Sequence, residues 1–72
     1  MSLFKKKVVL LHHGDNKVQC IKAIRIFTGL GLKEAKQGSE TPNWVVATGL
    51  DRKSALALKE TLINTGASAE VR

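Results

Sequence analysis

The sequence is poor in the residues that define several common classes of small protein. It contains one cysteine, one proline and three aromatic residues among 72. No apolar run is longer than the one at residues 8–11. One cysteine excludes an internal disulfide and a cysteine-rich zinc site, and it is typical of a reducing compartment. An apolar run of that length is too short for a signal-peptide core or a membrane span. These features predict a cytoplasmic protein with no membrane partner.

Acidic residues are also scarce. Twelve lysines and arginines stand against six aspartates and glutamates, which gives a net charge of +6 and a pI near 9.9. A field of this sign favours anionic partners, either nucleic acid or an acidic protein. Hydrophobic residues make up 43% of the chain, as in ordinary globular proteins. We predict a single domain over residues 1–72, in which residues 1–5 form a loose lead-in.

Three segments of the chain have the composition of β-strands. Residues 7–11 are apolar and β-branched without alternation, which is typical of a strand buried between two neighbours. Residues 44–48 follow a turn-rich segment and predict a second strand, whose Trp44 is expected to cover one edge of the core. Residues 67–71 alternate small apolar and polar side chains, as an edge strand does.

Two helices are predicted between the first and second strands. The first spans residues 17–27, after a cap at Asp15 or Asn16, and ends at Gly29, which can adopt the left-handed conformation without steric cost. The second is shorter and runs from residue 30 to about residue 36.

A third helix is predicted between the second and third strands. It begins after a cap at Asp51. Ala55, Leu58 and Leu62, with Ile63 beside them, give its inward-facing stripe at helical spacing. The element order β-α-α-β-α-β predicts an α+β fold, a two-layer sandwich in which three helices cover one face of a three-stranded sheet.

The first helix separates into two arcs when its residues are placed at steps of 100°. The core arc contains Cys20, Ala23, Ile24 and Phe27. The opposite arc contains Lys17, Val18, Lys22 and Arg25, and Ile21 lies at the border. An apolar residue within a basic arc suggests a docking face. Ile26 lies outside both arcs, where it could belong to a homodimer contact or be a lone exposed residue.

No set of residues predicts a metal, cofactor or catalytic site. His12 and His13 are adjacent and point to different sides of an extended backbone, so they are poor ligands for one metal ion. The Gly29-Leu30-Gly31 spacing fits neither a phosphate-binding loop nor the Gly-x-x-Gly clamp of KH domains. Carboxylates, histidines and the cysteine form no nucleophile–base pair, so we predict no enzymatic activity.

Residues 16–18, 21–25 and 28–36 (the last Thr-Gly-Leu-Gly-Leu-Lys-Glu-Ala-Lys) closely resemble the signature of a known family. That family is the C-terminal globular domain of the bacterial ribosomal large-subunit stalk protein. The resemblance extends to residues 56–59, 65–67 and 70–72. It implies three helices on a three-stranded sheet and a role in recruiting and stimulating translational GTPases, including elongation factors Tu and G.

The resemblance also implies a set of partner-binding residues on the first two helices. By position these are Lys17, Val18, Ile21, Lys22, Arg25, Gly31, Leu32, Glu34 and Lys36. The helical wheel independently selects Lys17, Val18, Lys22 and Arg25, so the two arguments agree on this arc. In this hypothesis the cations pair with acidic groups of the GTPase, and the apolar residues supply desolvated contacts.

The chain departs from the family in several respects. The full-length stalk protein has an N-terminal dimerisation domain and a hinge, so this chain is expected to be a stand-alone homologue, a monomer or weak homodimer, that regulates or competes with stalk binding. Stalk proteins are acidic, whereas this chain is basic. Gly38 and Ser39 replace apolar residues and are expected to loosen the second helix, and Trp44 is atypical. The first helix also carries unusual residues, namely Gln19, Cys20, Ile26 and Phe27.

Two alternative functions remain open from the sequence. RNA binding is suggested by the charge and by the lysine run at residues 5–7. It is opposed by the scarcity of aromatic residues and by the predicted burial of Phe27, which together leave no platform for base stacking. A protease adaptor is the second alternative, because such adaptors have a similar fold, but likeness of fold is weak support for a function.

Overall fold

The computed structural model describes residues 6–72, so the predicted lead-in at residues 1–5 lies outside the described residues. Six elements follow one another as β-α-α-β-α-β, which confirms the predicted α+β order. They are β1 (Lys6–His12), α1 (Lys17–Thr28), α2 (Leu32–Ser39), β2 (Trp44–Leu50), α3 (Arg52–Asn64) and β3 (Ser68–Val71).

The sheet is antiparallel with strand order β2-β1-β3. At the centre of β1, Val9 pairs with Val45 on one side and with Glu70 on the other. The unbroken apolar run of β1 is therefore explained by its central position, and the alternation in β3 by its place at an edge. Both predictions are confirmed.

The hydrophobic core lies between the three helices and one face of the sheet. Val8 and Leu10, two residues apart on β1, face it together and are fully buried. All three helices contribute residues to this cluster, chiefly Cys20, Ile24, Ala35, Ala55, Leu58 and Leu62. Trp44 is half-buried and packs against the cluster, as predicted. Ile63 was predicted to face inward, but it is 39% exposed, because it lies beside the buried stripe of α3 and not on it.

The second helix differs from its prediction at both ends. It begins at Leu32, with Gly31 in an extended N-cap conformation, and it continues past Lys36 to Ser39. Gly38 and Ser39 are both buried within it, and the Ser39 hydroxyl donates to the carbonyl oxygen of Lys36 at 2.7 Å. The predicted end near Lys36 is therefore wrong, because packing holds two residues of low helix propensity in the helix.

The third helix is capped as predicted. The Asp51 carboxylate accepts a hydrogen bond from the backbone N–H of Ser54 at 2.8 Å. Hydrogen bonds from Ser54, with a smaller contribution from the Lys53 charge, hold the pKa of Asp51 below its usual range. Within residues 6–72 no helix is both long and apolar enough to cross a membrane.

Candidate functional site

Short-range hydrogen bonds fix the corner between α1 and α2. Gly29 has a φ of +76°, and its N–H donates to the carbonyl oxygen of Arg25 at 2.9 Å, which ends α1 as predicted. The Thr28 hydroxyl donates to the carbonyl oxygen of Ile24 at 2.7 Å and accepts from the N–H of Leu30 at 3.2 Å. At the other end, the Asn16 side chain accepts from the N–H of Gln19 at 3.3 Å. The two helices therefore meet in a geometry that local bonds define.

A groove of about 490 Å³ lies along this corner. Its lining residues are Val18, Ile21, Lys22, Arg25, Ile26, Gly29, Leu30 and Leu32. Five of the nine predicted partner-binding residues are among them: Val18, Ile21, Lys22, Arg25 and Leu32. Val18 is 71% exposed and Leu32 is 57% exposed, so large apolar side chains stand free on both helices. The structure thus brings basic and apolar groups together around one depression.

Ile21 has a different position from its neighbours in this groove. It is only 9% exposed and belongs to the core cluster, so it is a core residue and not the border residue that the wheel predicted. Its remaining surface forms part of the groove, and a partner could reach only that part.

The other four predicted residues lie outside the groove lining. The Lys17 ammonium donates to the Glu40 carboxylate, which joins the start of α1 to the end of α2. Gly31, Glu34 and Lys36 are exposed on or beside α2. Glu34 lines a separate depression together with Trp44, on the side of α2 that faces β2.

The charges around the groove are predominantly positive, and the residues that the structure describes do not neutralise them. Within residues 6–72 the ion pairs are Lys17–Glu40 and Glu70–Arg72, so neither Lys22 nor Arg25 has an acidic partner there. The Arg25 Nε–H donates to the carbonyl oxygen of Leu30 at 3.4 Å, which holds the guanidinium beside the corner.

Glu40 is the acidic group that pairs with Lys17 at the start of α1. The hydrogen bond from Lys17, with a smaller contribution from the Lys36 charge, holds the pKa of the Glu40 carboxyl below its usual range. Glu40 therefore stays ionised and occupies Lys17. Lys22 and Arg25 are left as the cations of the groove that can meet a partner's carboxylates.

A second groove, of about 290 Å³, lies between α1 and α3. It is lined by Gln19, Lys22, Ala23, Ile26, Phe27, Thr61 and Thr65. Phe27 was predicted to be a core residue, but it is 40% exposed in this groove. The prediction is wrong because Phe27 lies in a groove open to solvent, beside Thr61 of α3 and the C-cap residue Thr65, and no large apolar side chain among the described residues covers its ring there. Ile26 is 80% exposed, as its position outside both arcs suggested, and it lines both grooves.

The groups with metal-binding or nucleophilic potential are separate from both grooves. Cys20 is fully buried, and burial raises the pKa of its thiol, with an opposing hydrogen bond from Thr65. The backbone N–H of Gly14 donates to His12 Nδ1 at 2.9 Å, so that ring nitrogen is engaged locally. Among residues 6–72 no three His, Cys, Asp or Glu side chains lie close enough together to hold a metal ion.

Comparison with known protein families shows which family the chain belongs to. The family model for the ribosomal protein L7/L12 C-terminal domain matches residues 6–72. The chain belongs to this family.

Individual relatives agree with the family match. Over 65 residues the chain is 54% identical to the large ribosomal subunit protein bL12 of Shewanella putrefaciens, 55% to that of Shewanella baltica and 49% to that of Shewanella loihica. Each alignment covers 90% of this chain but only 53–54% of the relative. The chain thus spans about half the length of these bL12 proteins. The resemblance of the helical signature to the stalk protein is confirmed at the level of the family.

Proposed function

We propose that this chain binds translational GTPases of the elongation factor G and Tu type through α1 and α2. The proposal is supported chiefly by the groove that gathers Lys22 and Arg25, which have no ion pair within residues 6–72, beside exposed Val18 and Leu32. Membership of the L7/L12 C-terminal domain family supports the assignment to translation. Because related domains would use the same surface of a GTPase, the chain would regulate or compete with binding of the stalk protein.

The two kinds of groove residue would contribute differently to binding. Lys22 and Arg25 are exposed, and exposed ion pairs add little affinity, so these cations would mainly accelerate and orient the encounter with an acidic surface. Val18 and Leu32 would lose their exposed apolar area on contact, and this burial would slow dissociation. Association should therefore weaken as salt rises, while dissociation should depend on salt much less.

Lys22→Glu should lower the affinity for elongation factor G roughly tenfold at low salt, mostly through slower association, because a steering cation becomes a repelling anion. The measurement is surface plasmon resonance with the GTPase immobilised. Lys53→Glu is the matched control. It makes the same change in net charge on α3, and Lys53 lines neither groove.

Equal loss of binding in the Lys22→Glu and Lys53→Glu variants would mean that net charge alone governs binding, and wild-type affinity in Lys22→Glu would contradict the proposed face. The same variants can be titrated against RNA, the alternative partner, by filter binding. Exposed Phe27 beside Lys22 gives that alternative a single stacking residue. Tight RNA binding without affinity for the GTPase would favour the alternative.

Gly31→Ala tests how closely the partner approaches the corner. A Cβ at Gly31 would meet no atom of the described residues within 4 Å, and Gly31 has a φ of −69°, so alanine fits the fold. We expect a small change in melting temperature, because alanine is a poorer N-cap than glycine but restricts the unfolded chain more. We expect a several-fold weaker complex, because the added methyl group would point at the partner. Isothermal titration calorimetry with elongation factor G measures the affinity. Unchanged affinity would remove Gly31 from the contact.

A further inference from the structure

Ile26 is the most exposed of the large apolar side chains in the part of the chain that the structure describes. It is 80% exposed, compared with 71% for Val18 and 57% for Leu32. An isolated exposed isoleucine would need no explanation. Ile26 is not isolated, however, because it lines both the α1–α2 groove and the α1–α3 groove. It therefore forms a ridge that joins two depressions into one surface.

The surface on both sides of this ridge has a consistent chemical character. Apolar side chains flank Ile26, namely Val18 and Leu32 in one groove and Phe27 in the other. Lys22 lines both grooves beside it, and Arg25 lines the first. Neither cation has an acidic partner within residues 6–72. An apolar ridge bordered by unpaired cations is complementary to an apolar group bordered by carboxylates.

A second copy of this chain would be a poor occupant of the same surface. Two-fold pairing through Ile26 would bring Lys22 and Arg25 of one copy towards the same cations of the other. Like charges opposed across an interface are unfavourable, and the net charge of +6 on each chain adds to the repulsion. The charge distribution therefore favours an acidic protein over self-association.

We propose that Ile26 is a partner-contact residue that extends the binding face from the α1–α2 groove onto the α1–α3 groove. Its side chain inserts against an apolar patch on the partner that acidic residues surround, and Phe27 widens the contact on the α3 side. This inference rests on the proposed function and adds to it a contact that none of the nine family-derived positions contains. A GTPase that presents such a patch would be preferred over one that presents only acidic groups.

The test compares Ile26→Ala with Ile63→Ala in binding to elongation factor G. Both changes remove the same atoms from a helix, but Ile63 lies on α3 and lines neither groove. Ile26→Ala should weaken binding about fivefold or more, because a buried apolar contact is lost. Ile63→Ala should leave the affinity unchanged. The Ile26→Ala ratio should persist from 50 to 500 mM NaCl, whereas the Lys22→Glu effect should shrink as charges are screened.

The outcomes separate this inference from the proposed function. If wild type binds and Lys22→Glu weakens binding but Ile26→Ala does not, the Ile26 contact is wrong and the proposed function stands. Absence of wild-type binding overturns both. Sedimentation analysis supplies a further check: a wild-type dimer that Ile26→Ala converts to monomer would assign the ridge to self-association and overturn the inference.

Discussion

Gly14→Ala should lower the free energy of unfolding by about 3–4 kcal/mol, a large part of what a chain of this size retains. Two effects add at this position. Gly14 has a φ of +76°, in a region that costs an L-residue about 1–2 kcal/mol. A Cβ there would also lie 2.6 Å from the carbonyl carbon of Gly66 and closer still to its oxygen. The closest atoms that the Cβ would meet belong to the backbone of Gly66, and the backbone fixes the position of the Cβ itself. No side-chain rotation can therefore relieve the contact.

Gly29→Ala is the matched control, because Gly29 has the same φ of +76°, but among the described residues an added Cβ would meet no atom within 4 Å beyond its chain neighbours. It should lose only the conformational term of about 1–2 kcal/mol. Chemical denaturation of the two variants and wild type measures both losses. If the two alanines destabilise equally, the close approach of the turn after β1 to the turn before β3 is not a real constraint.

The central position of β1, the caps that begin α1 and α3 and the end of α1 could be predicted because their signals are local. The unbroken apolar run of β1 is what a central strand needs, and the glycine after Thr28 is what a left-handed helix end needs. Asn16 and Asp51 each cap a helix through a bond to a residue only three positions away. Each of these bonds joins residues that are close in the sequence, so the residues of the helix end are enough to predict it.

The errors arose where a distant segment decides the outcome. A helical wheel gives Phe27 the same direction as the core residues, but the burial of Phe27 depends on the segment opposite it. That segment places Thr61 of α3 and the C-cap residue Thr65 there. Ile21 shows the reverse case, since packing buries a residue that the wheel put at the border. A helical wheel describes one helix alone, whereas the burial of a side chain depends also on the element that packs against it.

The candidate site was predicted in part for the same reason. Val18, Lys22 and Arg25 follow from the arc of α1, and the family resemblance adds Leu32 on α2. Ile26 was separated from them because the wheel places it outside both arcs. Only the turn of the chain at Gly29 and Leu30 brings Ile26 into the groove. The corner therefore makes one surface from residues that a single-helix pattern assigns to different faces.

The second large effect is expected at Gly38, where the apolar residue that the family resemblance implies should not fit. Gly38→Leu should lower the free energy of unfolding by about 3 kcal/mol, and the melting temperature by roughly 15 °C. An added Cβ at Gly38 would lie 2.5 Å from Cδ2 of the Trp44 indole. The indole ring packs against the core cluster. It would have to leave that position to admit a side chain at residue 38.

This contact would account together for the two departures that the resemblance implies at positions 38 and 44. Gly38 is smaller than the residue that the resemblance implies, and Trp44 is atypical at the start of β2. The indole occupies the space that a side chain at position 38 would fill, so we predict that Gly38 and Trp44 share one volume between α2 and β2. This packing also explains why α2 continues through Gly38, since burial against the ring compensates for the low helix propensity of glycine.

Trp44→Ala provides the decisive comparison for Gly38→Leu. Alone it should also destabilise the fold, because it leaves a space beside a glycine that no side chain fills. Combined with Gly38→Leu it should restore most of the lost stability, with a coupling energy on the order of 2–3 kcal/mol in a double-mutant cycle. Thermal and urea unfolding of the four proteins supply the cycle. If the losses of unfolding free energy in the two single variants simply add in the double variant, the two positions do not share one volume. Gly38 and Trp44 would then need separate explanations.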